Sequence, residues 1–192
     1  MNERIPAKKK DEEHLLIQKA IKRDASAFGR LYDMYVDRIY RYVYYRVGSV
    51  ADAEDLTQQV FLKAWQAIGR YKKMASPFIA WLMTISHNVI IDFYRTRKSN
   101  ACIGNDITSN NLEYNPEKAA EAQLEQKKLR QAILQLSSDR QQVVILRLIE
   151  GFQFREIASI LGKSEGAVRV ILHRALTKLQ EILGKEKGYD KK

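Results

Sequence analysis

The stretch "REIASILGKSEGAVRVILHRALTKL", residues 155–179, holds a short apolar-periodic segment, a break at Gly162 and Lys163, and a longer segment behind Ser164. That is the spacing of a helix-turn-helix. Ile157, Ala158, Leu161, Val168, Leu172 and Leu176 recur at helical intervals and would pack the two helices against each other at an angle. Val168, Leu172 and Ala175 then point inward, while Arg169, His173 and Arg174 point outward. The N-terminal half of the second helix protrudes far enough to enter a major groove. Ser164 and the unpaired amides behind it suit a phosphate, because a helix N-terminus carries free N–H donors and partial positive charge. Arg169, one turn on, reaches guanine edges or phosphate. Glu165 would repel phosphate and is better read as a carboxylate favouring the helix start. Singly, each of these residues is an ordinary solvated side chain on a helix; turn, cap, apolar register and basic face together point to DNA.

Working outward, the whole 192-residue chain is basic, with 33 Lys plus Arg against 23 Asp plus Glu and a formal charge of +10. A polyanionic partner is expected. The charge is unevenly placed: residues 1–98 carry net +7, residues 123–192 net +6, and residues 99–122 net −3. The acidic stretch contains "SNACIGNDITSNNLEYNP", rich in Asn and Ser, without apolar periodicity and ending in Pro116. It reads as a flexible linker able to span roughly 80 Å when extended, well over one DNA turn of about 35 Å. The single Cys, Cys102, excludes an internal disulfide framework and a multi-thiolate zinc site. With no signal-like apolar run at the N-terminus and no eighteen-residue apolar stretch, a cytoplasmic protein is expected.

The expected fold class is all-α: two small helical domains at 12–98 and 123–183 joined by the linker at 99–122, the C-terminal one a helix-turn-helix. Predicted helices lie at about 12–22, 25–47, 50–68 and 77–97, then 117–136, 139–150, 154–161 and 165–183. Ser49 with Asp52, and Ser138 with Gln141, read as capping boxes, and Gly151 as a stop.

In the first block, "DAEDLTQQVFLKAW", residues 52–65, sets Asp52, Asp55, Gln58 and Gln59 along one stripe, with Leu56, Val60 and Ala64 facing elsewhere. Carboxylates on a basic protein push DNA away, so the stripe fits a protein partner. Metal binding is disfavoured, since neither Asp has a nearby His or third converging ligand. Downstream, "RYKKMASPFIAWLMTISHNVIIDFYRTRK", residues 70–98, interleaves aromatic and basic residues. Phe78, Trp81 and Ile85 have core spacing. Lys72, Lys73 and Ser76 precede the helix in a loop, and Asn88, Arg95 and Arg97 lie on its later turns. Such a mixture suits single-stranded nucleic acid, whose bases are free to stack or enter pockets.

Taken together, the two blocks resemble the bacterial sigma factors of the extracytoplasmic-function (ECF) group in the sigma-70 family. "DAEDLTQQVFLKAW" is similar to their region 2.2, "PFIAWLMTISHNVIIDFYRTRK" to regions 2.3 and 2.4, and "RQQVVILRLIEGFQFREIASILGKSEGAVRVILHRALTKL" to region 4. The resemblance covers about residues 24–98 and 123–183, in family order. It implies a dissociable subunit that directs core RNA polymerase to chosen promoters. Asp52, Asp55, Gln58 and Gln59 would dock on the clamp helices of the largest polymerase subunit. Lys72, Lys73, Ser76, Asn88, Arg95 and Arg97 would engage the melted −10 element, holding a flipped-out base. Ser164, Arg169, Val170, His173 and Arg174 would read the −35 element as duplex, Val170 against a thymine methyl. An anti-sigma protein is an implied partner, and no cofactor or metal is implied. Departures from the family pattern are Gln59 where an acid is frequent, His87 where Arg is common, Gln153 at a frequent Ser cap, and Ala167 and Val170 in place of Thr and Ser.

Two other readings give opposite experimental signatures. A stand-alone regulator would use the same C-terminal helices but needs a symmetric dimer on paired half-sites, and it leaves the acidic stripe unexplained. A nuclease would need a metal or phosphate site, yet His14, His87 and His173 are scattered and no Gly-rich phosphate loop occurs.

Overall fold

Arg23, at φ 69°, turns the chain out of the first helix, and Asp24 starts the next: its backbone is extended and its carboxylate accepts from Ala27 N–H at 3.0 Å. The computed structural model describes residues 7–72, 77–101 and 127–189. Helix α1 spans Ala7–Ile21, α2 Ala25–Val47 and α3 Val50–Ala67, the last tightening into a 3-10 turn at Ile68–Arg70. Between α2 and α3, Gly48 adopts φ 81°, a left-handed conformation that closes α2 through its N–H on Tyr44 C=O. Ser49 then caps α3 by accepting from Asp52 N–H at 3.3 Å. Asp52 turns instead toward Arg97, so half of the expected capping box forms.

Helix α4, Phe78–Ala101, crosses α2 and α3 and continues three residues into the stretch read as linker. The rest of that linker, 102–122, lies outside the described residues, as do residues 117–126 of the next predicted helix. Chain 127–134 is helical (α5), followed by α6, Ser138–Val144, a π-helical stretch, Ile145–Ile149, then α7, Phe154–Leu161, and α8, Glu165–Tyr189. All described secondary structure is helical.

Two local expectations are corrected. The N-cap of α6 is Ser137, not Ser138; the Ser138 hydroxyl accepts from Arg46 instead. The predicted uniform helix at 139–150 widens after Val144, with Glu150 N–H bonding back five residues to Ile145 C=O at 2.9 Å. The widened turn leaves Leu148 outward and Glu150 inward. Gly151, at φ 75°, then stops the helix as expected.

The two blocks pack against each other. Helix α4 lies on α7, and α2 lies on the π-helical stretch. Arg46 of α2, 1% exposed, donates to Ser138 C=O at 2.8 Å and to Ser138 Oγ at 3.1 Å. Burial lowers its guanidinium from its ordinary range. The Glu150 carboxylate, with 0% of its side chain exposed, accepts from Arg38 Nε at 3.0 Å and Arg41 Nε at 2.7 Å. Arg130 of α5 donates to Gly48 C=O at 2.8 Å and lies over the Tyr44 ring. At Gly48 a Cβ would meet Leu134 Cδ1 at 3.0 Å, so the left-handed turn also permits this close approach.

Candidate nucleic-acid and polymerase interfaces

The acidic stripe is fixed by what lies behind it. Ala53, Leu56, Val60 and Ala64 of α3 are buried against α2 and α4, which turns Asp55, Gln58 and Gln59 to solvent together. Asp52 stands at the edge of this face. It is half-buried and pairs with Arg97 of α4 at 3.2 Å, while Lys63, further along the same edge, pairs with Asp92 of α4 at 3.5 Å. The face therefore presents Asp55, Gln58 and Gln59, with Asp52 drawn toward α4. It also presents Leu62, 58% exposed, which the sequence reading passed over. Its signal was legible: Leu62 is four and seven residues beyond Gln58 and Asp55, the spacing of one helix face.

The second surface lies on α4 and the turn before it. Tyr71 and Phe78 are buried, in contact with Trp81 and each other, with Tyr71 and Phe78 rings perpendicular at 5.3 Å. Tyr71 and Phe78 are core, and Trp81 is half-buried against it, in keeping with the spacing of Phe78 and Trp81. Lys72 is exposed beside them; Lys73 and Ser76 lie outside the described residues. Asn88 and Arg95 are exposed and seven residues apart, so they share a face. Asp92 lies between them and pairs with Arg95 at 3.1 Å. Arg97 is nine residues from Asn88, about half a turn away at ~100° per residue. It faces α3, over the Phe93 ring and beside Asp52. Folding thus groups Asn88 with Arg95 and assigns Arg97 to the seam between α3 and α4.

His87 is half-buried where α4 meets the second block, close to Arg46 and to the Asp139–Lys163 ion pair, which closes at 3.0 Å. Burial and then the neighbouring Arg46 charge push its imidazole below the ordinary range.

The third surface is the exposed side of α8. Gly162, at φ 62°, closes α7, and the Ser164 hydroxyl accepts from Ala167 N–H at 3.1 Å, as the turn and cap predicted. Val168 and Ala175 are fully buried and Leu172 half-buried, whereas Leu176, expected in the core, is 37% exposed at its edge. Ser164, Arg169, Val170, His173 and Arg174 are all exposed. Arg169 has a long contact with Glu165, 3.9 Å between two exposed side chains and hence weak. Its guanidinium carbon lies 4.1 Å from the Phe154 ring centroid.

Among the described residues, no group of three or more His, Cys, Asp or Glu is placed to hold a metal ion, and no helix is long and apolar enough to cross a membrane.

Residues 31–100 match the family described as Sigma-70 region 2, and residues 126–179 that described as Sigma-70, region 4. The chain is 37% identical over 184 residues to the ECF RNA polymerase sigma factor BldN of Streptomyces coelicolor, covering 94% of this chain and 70% of that one. It is 31% identical over 160 residues to the RNA polymerase sigma factor YlaC of Bacillus subtilis, covering 82% and 92%. Among solved structures it is similar to CnrH in complex with the cytosolic domain of CnrY, with TM-score 0.70 at 25% identity over 91% of this chain and 98% of that one. The sigma factor RpoE of Bartonella quintana, solved with the anti-sigma factor NepR, shares the fold at TM-score 0.66 and 24% identity, covering 82% and 96%.

Proposed function

Because the chain belongs to the ECF sigma factors of the sigma-70 family, with regions 2 and 4 in order, we propose that its three surfaces divide the work of transcription initiation. The exposed face of α3 docks on the clamp helices of the largest subunit of core RNA polymerase through Asp55, Gln58 and Gln59, with Asp52 at its edge. The turn before α4 and the α4 face bearing Asn88 and Arg95 hold the melted −10 strand; Lys72, Lys73 and Ser76 add charge and hydrogen-bonding groups, while Arg97, expected beside them, is held at the α3–α4 seam by Asp52. Helix α8 reads the −35 duplex through Ser164, Arg169, Val170, His173 and Arg174.

The observation that carries this reading is the sorting of charge by face. One side of α3 exposes carboxylate and amide groups over a buried apolar row, while α8 exposes Arg169, His173 and Arg174 over another. A carboxylate face cannot lie on phosphates, and a cationic helix at a helix-turn-helix can. Unstacking a base costs a few kcal/mol, offset by stacking and pocket contacts of about 1–3 kcal/mol per base. No covalent step is asked of the chain: it acts as a non-enzymatic initiation factor, and nucleotide addition belongs to the polymerase. We place it in the cytoplasm, where its polymerase is, with domains at 12–98 and 123–183 and a tether between them. An anti-sigma protein is the expected antagonist, as the neighbours CnrH and RpoE are each seen with a protein partner.

Run-off transcription with purified core polymerase tests the reading. The full chain is expected to confer initiation at specific templates, and Arg169→Ala to lose −35 discrimination while still binding core. A folded chain that confers no specific start on its cognate core refutes it; a free dimer on palindromic DNA would favour a stand-alone regulator.

A further inference from the structure

Phe154 opens α7, and two guanidinium groups lie over its ring: Arg169 at 4.1 Å from the centroid and Arg147 at 4.7 Å. The ring is well placed to act as a fixed platform. Gly151 turns the chain with φ 75°, and Glu156 accepts from Gln153 N–H at 2.8 Å, anchoring the first turn of α7. Arg147 is itself anchored, donating to Phe152 C=O at 2.9 Å. Arg169 has no comparable anchor among its described contacts. Its carboxylate neighbour Glu165 is at 3.9 Å, and the Arg169 side chain is 60% exposed. At 3.9 Å the Glu165 carboxylate is too far for a hydrogen bond, whereas 4.1 Å from a ring centroid is well inside cation–π range, and attraction of this kind orients Arg on exposed surfaces.

An unrestrained Arg loses rotamer freedom when it settles on a base edge or phosphate. A ring that already holds the guanidinium near its working position reduces that loss. We propose that Phe154 is a positioning residue for −35 recognition: it holds the Arg169 guanidinium so that α8 presents it to the duplex in a restricted orientation. The inference rests on the assignment of Arg169 to the −35 element.

The test uses the full chain assembled with core polymerase and a −35 duplex selected from a randomised pool by the wild-type holoenzyme. Discrimination is the ratio of affinities for that duplex and for one with the −35 element scrambled. Arg169→Ala is expected to lower it. Phe154→Met, which keeps bulk without a ring, is expected to lower it about two- to fivefold, while Phe154→Tyr keeps it. In the Phe154→Met/Arg169→Ala double variant the loss should be no greater than in Arg169→Ala alone. In the free chain, the Arg169 Nε–H proton resonance should carry an upfield ring-current displacement that Phe154→Met abolishes; this readout isolates the contact from any general loss of folding. If Arg169→Ala lowers discrimination and Phe154→Met adds its full loss on top, or weakens all sequences alike, the positioning role is overturned while the −35 assignment survives. If Arg169→Ala leaves discrimination unchanged, the assignment fails and the positioning role with it.

Discussion

Glu150→Ala should loosen the packing between the two blocks. The carboxylate is fully buried between α2 and the π-helical stretch, and it accepts from Arg38 and Arg41, whose side chains are 32% and 46% exposed. Two charge-assisted hydrogen bonds are worth about 1.5–3 kcal/mol each when both partners are dry. Here the arginines lie part-way into solvent, where exposed pairs contribute about 0–1 kcal/mol. Arg38 also keeps a second anchor, donating to Glu150 C=O at 3.0 Å and lying over the Phe152 ring. A net loss of about 2 kcal/mol follows, roughly thirtyfold in the balance between packed and separated blocks. Because Cys102 is the single cysteine, a Cys102→Ser background accepts fluorophores at new cysteines replacing exposed Gln66 and Gln180. Energy transfer in the free chain should shift toward longer, broader distances for Glu150→Ala and stay unchanged for the exposed control Glu54→Ala. Superimposable distance distributions for wild type and Glu150→Ala would refute the claim that this buried carboxylate holds the blocks together.

Three further outcomes are expected. Asp55→Arg reverses charge at the centre of the α3 face and should weaken core polymerase binding by about tenfold or more, measured by competition against a labelled wild-type chain, with helix content unchanged. Ser164→Ala removes the oxygen that accepts from Ala167 N–H and should destabilise the helix-turn-helix by about 1 kcal/mol, read from the urea midpoint. His87 supplies a pH dependence. Arg46 and Lys163 oppose its charge, Asp139 favours it, and burial dominates to depress its folded pKa. The unfolded chain takes up the proton near pH ~6.5 while the folded chain resists it, so the stability His87 contributes is present above that pH and lost as pH falls toward the folded value. The thermal-midpoint difference between pH 7.5 and 5.5 should shrink in His87→Gln.

The apolar register, caps and turns were local facts, and they were legible. Gly162 needs a left-handed backbone, Ser164 carries an oxygen one residue before a helix, and Val168 and Ala175 recur at helical spacing; nothing distant is required to read them. The exposed faces of α3 and α8 followed from the same periodicity. Three features needed the tertiary structure. Asp52 and Arg97, 45 residues apart, looked like members of two different surfaces and instead pair across α3 and α4. Arg46 and Glu150 carry no local mark that sets them apart from other charged side chains, yet each is buried by contacts with the opposite block. The widened turn at Ile145–Ile149 carries no compositional mark, yet it accompanies the turning of Glu150 under α2. Sequence alone marked most of the described helices and which side chains each could expose, because caps and periodicity act over a few residues. Only the folded chain decided which charges remain available to a partner and which are consumed internally, because pairing depends on distances that separation along the chain does not encode.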